Sequence, residues 1–193
     1  QGAEASAGST RVAAGGRAAA GNAGIFEALD GAVEAATRAQ AEWVKESLEL
    51  RGTVIAAMRK AALDNLEGMA MRAVQETGLG RVEDKIAKNR LAAMKTPGTE
   101  ILRPAFVQSG DDGLTLEEYA PFGVIGSVTP TTNPTETILN NGISMIAGGN
   151  VVVFCPHPSA RRVSNACVDI MNRAALRAGA PQPLFHAVEQ PGI

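Results

Sequence analysis

The residues of this chain whose types and spacing can do chemistry gather in two short turns. The first, Thr129-Pro130-Thr131-Thr132-Asn133-Pro134, stands between an apolar run and a helical pattern. It offers hydroxyls and an amide beside a helix N-terminus, where backbone N–H groups and the helix dipole favour negative charge. Asn133 has two readings. Asn133-Pro134-Thr135-Glu136 fits a helix start, with Asn as N-cap, Pro at the first helical position and Glu reaching back as a capping box. Alternatively, the Asn133 amide donates to an oxyanion that develops in acyl chemistry. One side chain does not easily do both, and composition alone favours the cap.

The second turn, Cys155-Pro156-His157-Pro158, follows the apolar run Val151 to Phe154. Its prolines pin the backbone and, with the imidazole, leave a flat surface on which an adenine ring can stack. The simpler reading is that Pro-His-Pro redirects the chain into the next helix. His157 is a weak base candidate. Cys155 and Cys167 read as small core residues rather than nucleophiles, because both fall in apolar elements with no base at a readable spacing. They show no CxxC or Cys/His ligand pattern, so neither a disulfide framework nor a metal site is expected. Gly123-Val124-Ile125-Gly126 lacks the third glycine of a dinucleotide fingerprint.

These turns need a scaffold that holds both at one edge. Gly123 to Val128, a helix over about Pro134 to Ile146, and β-branched Asn150 to Phe154 form a βαβ pattern. Its unbroken apolar runs predict parallel strands buried on both faces. A helix over about Ser159 to Ala178 and a strand near Leu184 to Val188 continue it, and ligands bind such sheets beyond the carboxyl ends of the strands. Upstream, Phe26, Leu29, Val33, Ala36 and Trp43 recur at helical spacing. Ser47 can cap a second helix with a Leu50, Val54, Met58, Ala61 stripe, and Leu66 to Val74 runs helically to a stop at Gly78. A fourth helix, about Val82 to Met94, carries Val82, Ile86 and Leu91 and stops at Thr96-Pro97-Gly98. Ile101 to Val107 and Leu114 to Tyr119 around Ser109-Gly110-Asp111-Asp112-Gly113 read as a hairpin.

Composition bounds the class. With 193 residues, 45% apolar and 20% charged, the chain can bury a sizeable core. A net charge of -2 with 18 scattered Lys and Arg gives no basic stripe for nucleic acid. No apolar run nears the roughly 20 residues that span a bilayer, and no secretory signal is visible, so a cytoplasmic location is expected. Residues 1–24, nearly all Gly, Ala and Ser, read as a flexible linker. The start at Gln1 and the close just after a strand-like run read as a piece of a longer protein.

The stretch PFGVIGSVTPTTNPTETILNNGISMIAGGNVVVFCPHPSA resembles the aldehyde dehydrogenase superfamily, in its CoA-acylating branch. Glu76 to Asn89 (ETGLGRVEDKIAKN) and Thr96 to Glu100 (TPGTE) extend the likeness upstream to about Ile25. The resemblance implies an α/β chain: an N-terminal helical segment over 25–100, an oligomerisation β-ribbon over 101–120, and an incomplete Rossmann-like parallel-sheet cofactor domain over 121–193. In this family a cysteine attacks the aldehyde, hydride passes to NAD, and coenzyme A takes the acyl group. Asn133 matches the oxyanion-stabilising asparagine, which moves the capping duty to Thr132 or water. Thr129, Pro130, Thr131 and Thr132 match the nicotinamide-side turn, and Cys155, Pro156, His157 and Pro158 the adenosine-side turn. In many hydrolytic relatives that second turn carries a Lys, with a Glu beyond it, where this chain has Cys155 and Pro158. The family's nucleophile lies in a later domain than these residues reach, so the chain alone is expected to be inactive. Homo-oligomers acting on a small aldehyde are expected. The Ala/Gly-rich start resembles the linker behind a microcompartment-targeting helix, which adds the microcompartment lumen and a shell partner to the expectations, an ordinary tail being the alternative. Two other classes stay open: a non-catalytic nucleotide- or CoA-binding module, and a purely structural oligomerisation piece.

Overall fold

The computed structural model describes residues 24–102 and 106–190. Its strands are β1 (Ile25–Phe26), β2 (Phe106–Gly110), β3 (Gly113–Glu117), β4 (Val124–Thr129), β5 (Val151–Pro156) and β6 (Phe185–Val188). Four of them form one sheet of order β1-β6-β5-β4, with every neighbouring pair parallel. The inner strand β5 owes its place to Val151-Val152-Val153-Phe154, whose β-branched and aromatic side chains fit a pleated surface and are all buried. Val152 pairs with Ile125 on one side and Phe185 on the other. The Phe154 and Phe185 rings meet edge-on at 5.3 Å. The expectation of strands buried on both faces holds for β5 and β6 and fails for β4. As an edge strand β4 alternates, leaving Val128 82% exposed while Ser127 and Thr129 are buried.

Six helices accompany the described sheet, α1 (Leu29–Trp43), α2 (Leu48–Asp64), α3 (Leu66–Thr77), α4 (Val82–Lys95), α5 (Pro134–Ala147) and α6 (Arg161–Arg177), of which α1, α5 and α6 pack on its strands and α2, α3 and α4 pack on other helices. Two local signals form as the sequence implies. The Ser47 hydroxyl accepts from the Leu50 N–H at 3.1 Å, and Gly78 ends α3 in the left-handed region at φ 69°. The inward faces differ more. Phe26 belongs to β1, and α1 turns Ala32, Ala36, Ala39 and Trp43 inward while Leu29 and Val33 are half exposed. Alanines at one-turn spacing let α1 lie close on β5 and β6, and Trp43 Nε1 donates to the Ile146 carbonyl at 2.9 Å. On α2, Val54 and Met58 are buried as expected, with Ala62 rather than Ala61 completing the face.

The apolar residues that α4 carries, Val82, Ile86 and Leu91, are not its buried face. Leu91 is 62% exposed, and Lys85, Asn89 and Ala93 are buried instead. The reason is polar: α4 packs on α5, where Lys85 meets Glu136 at 3.7 Å. The hairpin exists as β2 and β3, joined through Asp111 and Asp112, and both strands are exposed along their length. The expected start of its first arm, Ile101 and Leu102, is not strand. Thr99–Leu102 is a 3-10 turn, curled where the Glu100 carboxylate accepts the Gly98 N–H at 2.7 Å, and the described part of the arm is Phe106–Gly110. The Ala/Gly-rich residues 1–23 lie outside the described residues.

Candidate functional site

The sheet brings the two turns together. Thr129 and Pro156 are register partners at the carboxyl ends of β4 and β5, and the His157 N–H donates to the Thr129 carbonyl at 3.1 Å. Thr129 is 1% exposed, and its Oγ1 has no hydrogen-bond partner among the described residues. A buried hydroxyl left unmade is costly, so this atom is suited to a ligand group arriving at the mouth of the sheet. Pro130 and Thr132 are exposed, and Thr131 and Asn133 are partly buried.

Asn133 heads α5 at φ −138° and ψ 61°, a backbone neither extended nor helical, and its side chain makes no capping bond. Its carbonyl accepts from Thr137 N–H at 3.1 Å, the first turn of the helix. The capping box is not formed either. Glu136 turns to the buried side, where Thr135 Oγ1 donates to Oε2 at 3.2 Å and Lys85 lies 3.7 Å from Oε1. The Asn133 side chain instead accepts at Oδ1 from Lys88 Nζ at 3.2 Å. An ammonium only donates, so this bond fixes which end of the amide is oxygen and leaves Nδ2 free to donate. A cavity of about 480 Å³ opens beside it, lined by Lys88, Leu91, Asn133, Thr137 and Asn140 among others.

The second turn is built differently. Cys155 and Pro158 are partly buried, Pro156 is buried, and His157 is exposed with Nδ1 accepting from the Ser159 N–H at 3.1 Å. The positive end of α6 is already occupied. Glu76, arriving from α3, accepts from Arg162 N–H at 2.9 Å and from Val163 N–H at 2.7 Å, with Arg162 Nε at 3.5 Å. A carboxylate on these N–H groups leaves no room for a phosphate there. Cys167 is fully buried, and burial pushes its thiol well above the usual range, the Glu136 charge adding to it. That is the opposite of an activated nucleophile. Among the described residues no group of three or more His, Cys, Asp and Glu is placed to hold a metal ion. Lys85, Lys88 and Glu76 escaped the reading of the sequence. Nothing in an apolar periodicity marks a buried lysine, and Glu76 acts across 86 residues.

Residues 14–192 match the aldehyde dehydrogenase family. The chain is 51% identical over 173 residues to an acetylating acetaldehyde dehydrogenase of Bilophila wadsworthia, covering 90% of this chain and 35% of that protein. Among solved structures, a propionaldehyde dehydrogenase from the Clostridium phytofermentans fucose-utilisation microcompartment superposes with a TM-score of 0.86 at 48% identity, over 88% of this chain and 39% of the other. The Rhodopseudomonas palustris propionaldehyde dehydrogenase with bound propionyl-CoA gives 0.85 at 51% identity, over 88% and 38%. The chain thus spans about a third of the length of the curated relatives it matches. With the family match running over residues 14–192 and the fold superposing on a solved relative over 88% of this chain, the chain belongs to the aldehyde dehydrogenase family.

Proposed function

We propose that this chain is the cofactor-side part of a CoA-acylating aldehyde dehydrogenase that oxidises a short aldehyde to its acyl-CoA. The observation that carries this reading is Asn133. It stands at the head of α5 with its amide oxygen held by Lys88, no capping bond to satisfy, and Nδ2 left as a donor beside an open cavity. A donor so held is preorganised for the oxygen of an aldehyde as that oxygen gains charge, which is where such groups stabilise a transition state most. The nucleophilic cysteine is assigned to a part of the enzyme outside these residues, Cys167 being sealed in the core and Cys155 belonging to β5 and the adenosine-side turn.

NAD, when bound, accepts the hydride, and coenzyme A receives the acyl group. Toward them the chain supplies Thr129, Pro130, Thr131 and Thr132 on the nicotinamide side, with the unpartnered Thr129 Oγ1 as the group best suited to a ligand. Cys155, Pro156, His157 and Pro158 form the adenosine side as a stacking surface. The pyrophosphate is held elsewhere, because Glu76 fills the α6 terminus. Residues 121–193 serve as the cofactor domain and 25–100 as its helical support. The ribbon of β2 and β3, with Phe106, Val107, Leu114 and Leu116 each more than half exposed, joins protomers. The microcompartment origin of one relative supports a lumenal location for the assembled enzyme.

The test is Asn133→Ala in the complete enzyme, with kcat, NAD affinity and Tm measured together. A fall in kcat of about a hundredfold or more with NAD affinity retained is expected. An unchanged kcat with a lowered Tm sinks the oxyanion role.

A further inference from the structure

We propose that Lys85 and Lys88 are positioning residues that aim the Asn133 amide, with Glu136 holding Lys85 in place; this rests on Asn133 being the oxyanion donor. Two consecutive carbonyl oxygens of the turn are gripped from one helix. Lys85 Nζ donates to the main-chain carbonyl of Thr132, and Lys88 Nζ, one turn further along α4, donates to Asn133 Oδ1 at 3.2 Å. The first bond fixes the peptide plane that leads into Asn133. The second fixes the rotation of its side chain. Together they leave the amide a single free direction, and the free end is the N–H donor.

The burial of Lys85 argues the same way. Its side chain is 3% exposed and that of Glu136 10%, yet their closest approach is 3.7 Å and Glu136 Oε1 has no hydrogen bond among the described residues. A buried pair so loosely made is a poor source of stability, and an apolar residue of the same length would serve packing as well. An ammonium at position 85 does contribute direction, because its donors reach the Thr132 carbonyl while Glu136 keeps the charge compensated. Asn89 extends the same polar seam, with Nδ2 donating to the Lys85 carbonyl at 3.0 Å. The seam ties the α4 backbone to the α5 head.

A cycle of variants in the complete enzyme tests this: wild type, Asn133→Ala, Lys85→Met and the pair. Lys85→Met is expected to lower kcat roughly tenfold, as a misaimed group does, with KM for the aldehyde and Kd for NAD within about twofold. In the Asn133→Ala background it should cost nothing further, since residues acting as a unit are not additive. If the pair is slower than Asn133→Ala by the whole Lys85→Met factor, the lysine acts independently of the asparagine and the proposal is overturned. An unchanged kcat in Lys85→Met overturns it too. A normal kcat in Asn133→Ala alone marks failure of the oxyanion reading instead, and that single variant reports it. Should Lys85→Met not fold, Lys88→Met, which alters an exposed side chain, runs through the same cycle under the same criteria.

Discussion

The turn after β4 and the turn after β5 sit side by side on one sheet edge, both contain prolines, and both lead into a helix, yet they treat the helix start in opposite ways. At α6 the positive end is closed by Glu76, a side chain from another helix. At α5 the residue best suited to cap, Asn133, is turned away and its oxygen is taken by Lys88. One turn is finished within the fold and the other is left with a donor to give. A helix start closed by a side chain has no N–H left for an anion, whereas one held from behind with a free donor in front is prepared for a ligand.

The largest effect that can break this contrast is at Asn133. Asn133→Ala should reduce kcat of the complete enzyme by a hundredfold or more, about 3 to 4 kcal/mol of transition-state stabilisation, with Tm unmoved because no capping bond is lost. A lowered Tm with normal turnover would make both turns structural. Next comes the sheet they share. His186 on β6, register partner of Val153, is driven down to about 4 by burial, with the Arg38 charge pushing the same way and the Pro183 backbone opposing. The unfolded chain takes up that proton near 6.5 and the folded chain near 4, so stability is intact above 6.5 and falls as pH drops through that window. The loss is on the order of 3 kcal/mol. Urea midpoints against pH should show this slope in the wild type and a flatter one in His186→Leu. Equal slopes would remove His186 as its source.

Smaller still, Glu76→Ala should cost about 2 kcal/mol of stability, the scale of a charge-assisted hydrogen bond, while kcat stays within about twofold. A large fall in kcat there would mean that the second turn is not closed after all. The smallest effect is at His157, whose Nδ1 accepts a single N–H. His157→Ala should cost about 0.5 kcal/mol in Tm-derived stability, the low end for losing a cap, and its influence should appear in NAD or CoA affinity measured by calorimetry.

Much of the sheet was legible in the sequence. The runs around Val151 and Val124 are too apolar to be loops, and Pro134 and the Gly148-Gly149 pair bound α5. Position along the sheet was harder to read, because β4 ends the described sheet and yet carries apolar Val128, which is exposed there. The α1 face was misread since alanines at one-turn spacing count for little in hydropathy, although close approach to a sheet selects them. The site was legible at Asn133, Thr129 and the Pro-His-Pro turn. Its backing was not: Lys85 and Lys88 look like solvated charges in sequence, and what makes them otherwise is contact with Thr132 and Asn133 more than forty residues away. Likewise β1 is only two residues long, below the length at which alternation can be recognised.

That short strand has a consequence for how the chain comes into being. Ile25 and Phe26 pair with Ala187 and Val188 and with no other described strand, so the earliest segment of the sheet has to wait for the latest. At a synthesis rate of about 5–20 residues per second the wait is on the order of 10 s or more, with two apolar residues unpaired throughout. Joining ends so distant also carries the entropy of closing a long loop, which grows only slowly with length but must be met before the pairing returns anything. The edge beside β6 is therefore the last part of this sheet to close, and the hazard of a misplaced strand is concentrated there.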